Sequence, residues 1–236
     1  MRSVFLSLAV AVLGCRAIPA NVNGEDAKDY INRGNAWRDQ GEHDKAITAF
    51  TEAIRLAPHE AAAYFNRGLA WSGKHEYDKA IADYDEALRL NPSFYQVYVN
   101  RGIAWGKKGE YGKAIADYSQ TPLIKPMDTY AYNGLAWLYA TCPDEKYRNG
   151  QKAVENATKA YQSDGGQHWY FLGTLAAAYA QNGDFAKAVE WQAKAIEVAA
   201  ADQSVPAKDK ADAASRLELY KQGKPSRDEP KTKSAG

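Results

Sequence analysis

Residues 32–37 read NRGNAW, residues 66–71 read NRGLAW and residues 100–105 read NRGIAW, so one hexamer returns at intervals of 34 residues with only its fourth position free. A catalytic motif normally occurs once, because the geometry around a reacting atom is unique. Self-similarity at a fixed period marks a stack of equivalent units instead.

Placing the glycines in register aligns Tyr30, Gly34, Trp37, Ala46, Phe50, Ala53 and Pro58 with Tyr64, Gly68, Trp71, Ala80, Tyr84, Ala87 and Pro92. A third copy gives Tyr98, Gly102, Trp105, Ala114, Tyr118, Thr121 and Pro126. Tyr64, Gly68 and Trp71 fall on one helical face, and Ala80, Tyr84 and Ala87 repeat that spacing after the turn GKHEYD, so each unit predicts two amphipathic helices. The small residues let the paired backbones approach while the aromatic rings fill the space around them. Pro92 stops the second helix. Such a hairpin cannot cover its own apolar face, so the next one stacks on it.

The pattern resembles the tetratricopeptide repeat, whose aromatic, Gly, aromatic, Ala, aromatic, Ala, Pro signature the three copies follow across residues 27–128. It departs where Thr121 replaces an alanine, and Pro122 is expected to cut the third unit's second helix short. The resemblance implies an all-α, right-handed superhelical solenoid. Two divergent units follow over 129–202. The first carries Leu135, Ala136, Tyr139, Ala153 and Ala157, its alanine-to-alanine step from Ala114 to Ala153 lengthened to 39 residues. The second carries Leu175, Ala176, Tyr179, Ala188 and Ala195, with Gln192 where an aromatic is expected. About five units result, closed by a capping helix over 203–222. The tail 223–236 has no core-forming residues and is expected to be disordered.

The first residues are of another kind. Arg2 is followed by an uncharged run, Ser3–Gly14, well short of the ~20 residues a membrane-spanning helix takes. It reads as a signal peptide over 1–17, followed by a linker over 18–26. Val12-Leu13-Gly14-Cys15 resembles the bacterial lipobox, which implies lipidation at Cys15 and an envelope lipoprotein. The other reading is an ordinary signal cut after Ala17. Either leaves Cys142 without a partner cysteine in the mature chain, so it reads as a small buried hydrophobe.

Composition narrows the function classes. Thirty basic residues nearly balance 29 acidic ones, and no basic stripe stands out, which argues against a nucleic-acid partner. His43, His59, His75 and His168 lie at turns or unit boundaries without ligand or triad spacing, so neither a metal, a cofactor nor an enzyme activity is expected.

Within the hexamer, glycine and the Ala-Trp pair serve packing. Arg33, Arg67 and Arg101 stand where the family usually has leucine; Arg101 is expected to meet Asp83, Asp85 or Glu86 on the preceding helix, and Arg33, with no preceding repeat, to be solvated. Asn32, Asn66 and Asn100 are read as a ladder on the inner face, able to bind an extended peptide backbone or to hydrogen-bond locally. Beside it runs an apolar row, Ile31/Asn35, Phe65/Leu69, Val99/Ile103 and Asn133/Trp137, read as a groove or as buried core. The carboxylate clamp of chaperone-binding tetratricopeptide domains is not expected. Asn35 and Asn66 fit it, but Ile31, Gln96 and Asn100 stand where its basic residues belong. The expectation is therefore a non-catalytic scaffold for a peptide or protein partner, held at a membrane only by a lipid anchor, with self-association through the apolar row as the alternative.

Overall fold

The computed structural model describes residues 26–229; residues 1–25, on which the signal-peptide and Cys15 readings fall, and residues 230–236 lie outside them. Five helical hairpins follow one another: α1 (Ala27–Asp39) with α2 (His43–Leu56), α3 (Ala61–Gly73) with α4 (Tyr77–Leu90), and α5 (Tyr95–Lys107) with α6 (Tyr111–Ile124). Then come α7 (Thr129–Thr141) with α8 (Gly150–Asp164), α9 (Trp169–Gln181) with α10 (Phe185–Ala201), and the single α11 (Ala207–Lys221), which packs on α10. Each hairpin also packs on the next, so the described residues form an open stack with no strand.

Local chemistry sets the helix ends. Asp26 and Asp29 form a capping box on α1, while Asp128, Asn149 and Asp184 accept from the first-turn amides of α7, α8 and α10. The turn inside the first and third hairpins needs a left-handed residue, supplied by Gly41 (φ 77) and Gly109 (φ 78); the second uses His75 at φ 61.

Within a hairpin, the glycine of the first helix receives the ring of the second. A Cβ on Gly34 would lie 2.6 Å from the Phe50 ring, on Gly68 2.6 Å from the Tyr84 ring, and on Gly102 2.9 Å from the Tyr118 ring. Tyr84 and Phe50 are fully buried as a result. The preceding arginine uses the same approach. Arg67 donates through Nε and Nη2 to both oxygens of Asp83, at 2.9 and 2.7 Å, and Arg101 does the same to Asp117 at 2.8 and 2.6 Å. Arg101 also reaches Asp85 on the preceding helix at 2.6 Å, as expected, but its two-point partner lies within its own unit. In the first unit that position is Ala49, and Arg33 is exposed as expected, its guanidinium 4.6 Å from the Tyr30 ring centroid.

Two expectations are corrected. Helix α6 runs through Pro122 to Ile124, the same 14 residues as α2 and α4. Pro122 stands in the last turn, where a missing N–H leaves only one internal bond unmade, and the Lys125 amide still closes on the Thr121 carbonyl at 2.8 Å.

The second correction concerns order after Gly223. Residues 224–229 pack back on the end of α7. The lengthened connection after α7 leaves its final carbonyls without helical donors. Asn149 N–H covers Tyr139 O at 2.8 Å, Arg227 Nη1 covers Ala140 O at 3.3 Å, and Asp228 N–H covers Thr141 O at 2.9 Å. The Asp228 carboxylate in turn accepts from Trp137 Nε1 at 2.8 Å and Thr141 Oγ1 at 3.1 Å, and Ser226 is buried against the Tyr220 hydroxyl at 3.0 Å. Composition misses this docking because polar groups, not apolar burial, hold the tail.

Candidate functional site

The predicted inner row divides in two. In the first two units it belongs to the core. Ile31 packs on the first cluster, and Phe65 and Leu69 pack on the second, with the Phe65 ring centroid 4.9 Å from that of Phe94 and 6.1 Å from that of Tyr84. Asn35 is half-buried, its Oδ1 without a hydrogen-bond partner. In the third and fourth units the row opens in part: Val99 stays buried, while Ile103 and the neighbouring Tyr130 are exposed. Ile103 keeps 41% of its surface and Tyr130 61%, far more than core side chains retain.

Two clefts meet at Ile103. One, of about 410 Å³, lies between α5 and the start of α7, with Val99, Asn100 and Ile103 on one side and Tyr130 on the other. Tyr95 and Lys125 close it; the ammonium donates to the Tyr95 hydroxyl at 2.9 Å and sits 4.4 Å from that ring's centroid. That hydrogen bond holds the Lys125 pKa above its ordinary value. The second cleft, of about 650 Å³, has Tyr118, Trp137 and Leu138 among its apolar walls. The Tyr118 ring is wedged between two helices there, since a Cβ on Gly102 or Gly134 would come within 2.9 or 2.6 Å of it. Burial pushes its phenol well above the usual tyrosine range. Across this cleft stand Asp209 and Asp212 of α11 and Asp228 and Glu229 of the tail.

The asparagine ladder is mostly engaged locally. Asn66 donates to Ala62 O at 2.8 Å and accepts from Arg38 Nη1 at 2.6 Å. Asn100 donates to Gln96 O at 2.8 Å while lining the smaller cleft, and Asn32 is exposed on α1. The structure thus brings Val99, Asn100, Ile103 and Trp137 together around one groove, and sets Asn32, Asn35, Phe65, Asn66 and Leu69 apart from it. Sequence reasoning missed Tyr95, Tyr130 and the acidic wall. The first two carried a signal: Tyr95 stands four residues before the row position Val99 and Tyr130 three before Asn133, so they open the same helical face.

The groove offers shape, apolar surface and charge, which are the terms of binding. Cys142 is fully buried at the end of α7, and burial raises its thiol pKa, so its thiolate population is suppressed. Among the described residues no group of three His, Cys, Asp or Glu side chains is placed to hold a metal, and no helix is long and apolar enough to cross a membrane.

Family models described as tetratricopeptide repeat match residues 27–60, 61–94 and 144–205, together more than half of the chain. Solved structures agree on the architecture. MamA 41-end from Desulfovibrio magneticus RS-1 is 23% identical with a TM-score of 0.64, covering 77% of this chain and 99% of that one. YrrB, titled a TPR protein with an unusual peptide-binding site, is 21% identical with a TM-score of 0.59, covering 82% of this chain and 94% of that one. The APC/C hetero-tetramer Cut9-Hcn1 gives a TM-score of 0.70 at 15% identity, covering 86% of this chain and 38% of that one. At these identities the likeness is one of fold, a right-handed superhelical solenoid with a capping helix. No curated protein matches the sequence.

Proposed function

Because the chain belongs to the tetratricopeptide-repeat family, we propose that it is a non-catalytic scaffold that binds an extended segment of a protein partner in the groove of its third and fourth units. One observation carries this reading: two clefts meet at Ile103, which keeps 41% of its surface exposed where the equivalent Leu69 of the second unit is partly buried against its core cluster. A surface kept apolar at the cost of solvation is explained by an occupant.

The test is affinity purification from an envelope extract with the wild-type chain and with Ile103→Glu. The reading expects a partner retained by the first and lost by the second, with equal circular dichroism. Equal recovery by both would move the binding surface elsewhere, and light scattering that shows concentration-dependent dimers lost in Ile103→Glu would assign the groove to a second copy of the chain.

The proposal places the scaffold outside the cytoplasm, anchored through a lipid on Cys15, on the strength of the uncharged run Ser3–Gly14 ending in Val12-Leu13-Gly14-Cys15. Metabolic labelling with a fatty acid is expected to tag the wild type and spare Cys15→Ser. Labelling of neither, with a shortened soluble product, would support the ordinary signal peptide cut after Ala17.

A further inference from the structure

The larger cleft is unbalanced in charge. Four carboxylates line it, Asp209, Asp212, Asp228 and Glu229, against one lining cation, Lys107, and the Arg216 guanidinium 5.8 Å from the Trp137 ring centroid. None of the four is in an ion pair among the described residues, and Asp228 is held by neutral donors, Trp137 Nε1 and Thr141 Oγ1. A second observation points the same way. Asn133 lines this cleft, and its carboxamide oxygen is buried without a hydrogen-bond partner. These groups are all acceptors, set beside the aromatic walls Tyr118 and Trp137, and low-polarity surroundings strengthen their pull on a positive charge. Next door, across Ile103, the smaller cleft offers apolar contact from Val99 and Tyr130.

We infer that the occupant of the groove is a cationic peptide segment, with an apolar side chain seated against Val99, Ile103 and Tyr130 and a lysine or arginine a few residues away entering the acid-walled cleft. The inference rests on the reading of this groove as a peptide-binding site and adds the partner's chemistry. The incoming cation meets carboxylates of α11 and the tail that no ion pair neutralises. Nucleic acid and acidic peptides are repelled by the same wall.

The probe is a random peptide library displayed on phage and panned against the purified chain, followed by titration of the enriched peptides. Enrichment of lysine or arginine near an apolar residue is expected. Affinity should fall about tenfold in Asp209→Asn/Asp212→Asn and fall with added salt. Asp212 is exposed and Asp209 partly exposed, and Asn is near-isosteric with Asp, so circular dichroism should be unchanged; Asp228→Asn, which keeps an acceptor for Trp137, provides a second charge change at the tail. Enriched peptides that lack basic residues, or that bind the neutralised variants equally, would overturn the inference, and if Ile103→Glu still abolished their binding the groove itself would stand. If no peptide were enriched, both readings would fall.

Discussion

Arg101 and Asp117 meet in a two-point clasp, Nε to one carboxylate oxygen at 2.8 Å and Nη2 to the other at 2.6 Å, across the paired helices α5 and α6. The carboxylate side chain is 7% exposed and the guanidinium 20%. Burial disfavours the arginine's charge, but the bonds to Asp117 and Asp85 outweigh it and hold the guanidinium above its ordinary pKa. The clasp recurs between Arg67 and Asp83, so the second and third units share a polar brace that the first lacks.

Removing Asp117 leaves Arg101 half-buried with Nε and Nη2 unpartnered and only Nη1 still bonded, to Asp85. Asp117→Ala is expected to cost about 2 kcal/mol of folding free energy, read as a lowered urea midpoint. Replacing both members, Arg101→Met with Asp117→Leu, should cost less than the single change. A double variant as unstable as Asp117→Ala would show that the clasp stabilises rather than merely satisfies its own buried groups.

Two glycines on neighbouring units give opposite predictions. Gly68→Leu forces α3 from the Tyr84 ring and the Ala80 carbonyl, which a Cβ would meet at 2.6 and 3.2 Å, and should cost about 1–3 kcal/mol. A Cβ on Gly106 meets nothing within 4 Å, so Gly106→Ala in helix α5 should stabilise by about 0.5–1 kcal/mol. Thermal melts of the two variants that shift the same way would contradict the packing described for the hexamer glycine.

His75 adopts φ 61 at the turn where the first and third units have glycine. The left-handed region costs an L-residue roughly 1–2 kcal/mol, partly offset by the greater unfolded-state freedom of glycine. His75→Gly is therefore expected to raise stability slightly, despite losing the 2.9 Å contact between His75 Nδ1 and the Tyr77 hydroxyl. A fall in melting temperature would show that this contact outweighs the backbone strain.

Phe65 and Asn66 are neighbours in sequence and differ in what they hold. The Phe65 ring packs between Tyr84 and Phe94, so Phe65→Ala should destabilise by about 2 kcal/mol, while Asn66→Ala, which frees Arg38, should cost under about 1 kcal/mol. Chemical denaturation of both variants gives the order directly. A partner affinity lowered by Asn66→Ala at full stability would return the asparagine ladder to the binding surface.

The tail depends on one indole. Trp137→Phe keeps the ring and removes the Nε1 donor to Asp228, so the Asp228 amide, which bonds Thr141 O, should lose hydrogen-exchange protection while the helices keep theirs. Unchanged protection at Asp228 would show that the backbone contacts alone seat the tail.

The stack was legible because its information is local and repeated. Gly68 and Tyr84, or Gly102 and Tyr118, lie sixteen positions apart, within one helical hairpin, and the same small-to-large pairing is written in every copy. The Arg-Gly of the first helix even answers an Asp-Tyr in the second, at Asp83-Tyr84 and Asp117-Tyr118, a correspondence open to sequence reading because it too lies within one hairpin. The groove was legible only in part. Val99, Asn100, Ile103 and Trp137 sit on the helical face that periodicity assigned them, but the same periodicity assigned Phe65 and Leu69, and only packing tells an open position from one filled by Phe94.

The sequence by itself determined the helical hairpins, their number and their order of stacking, because each unit carries its own spacing of small and aromatic residues and needs the next to cover its apolar face. Tertiary structure alone decided where the stack stays open and what charge faces the opening. Trp137 and Asp228 are separated by 91 positions, and the tail that joins them has no periodic pattern to betray it. It docks because the lengthened connection after α7 leaves carbonyls that must find donors, and the donors nearest in space come from the end of the chain.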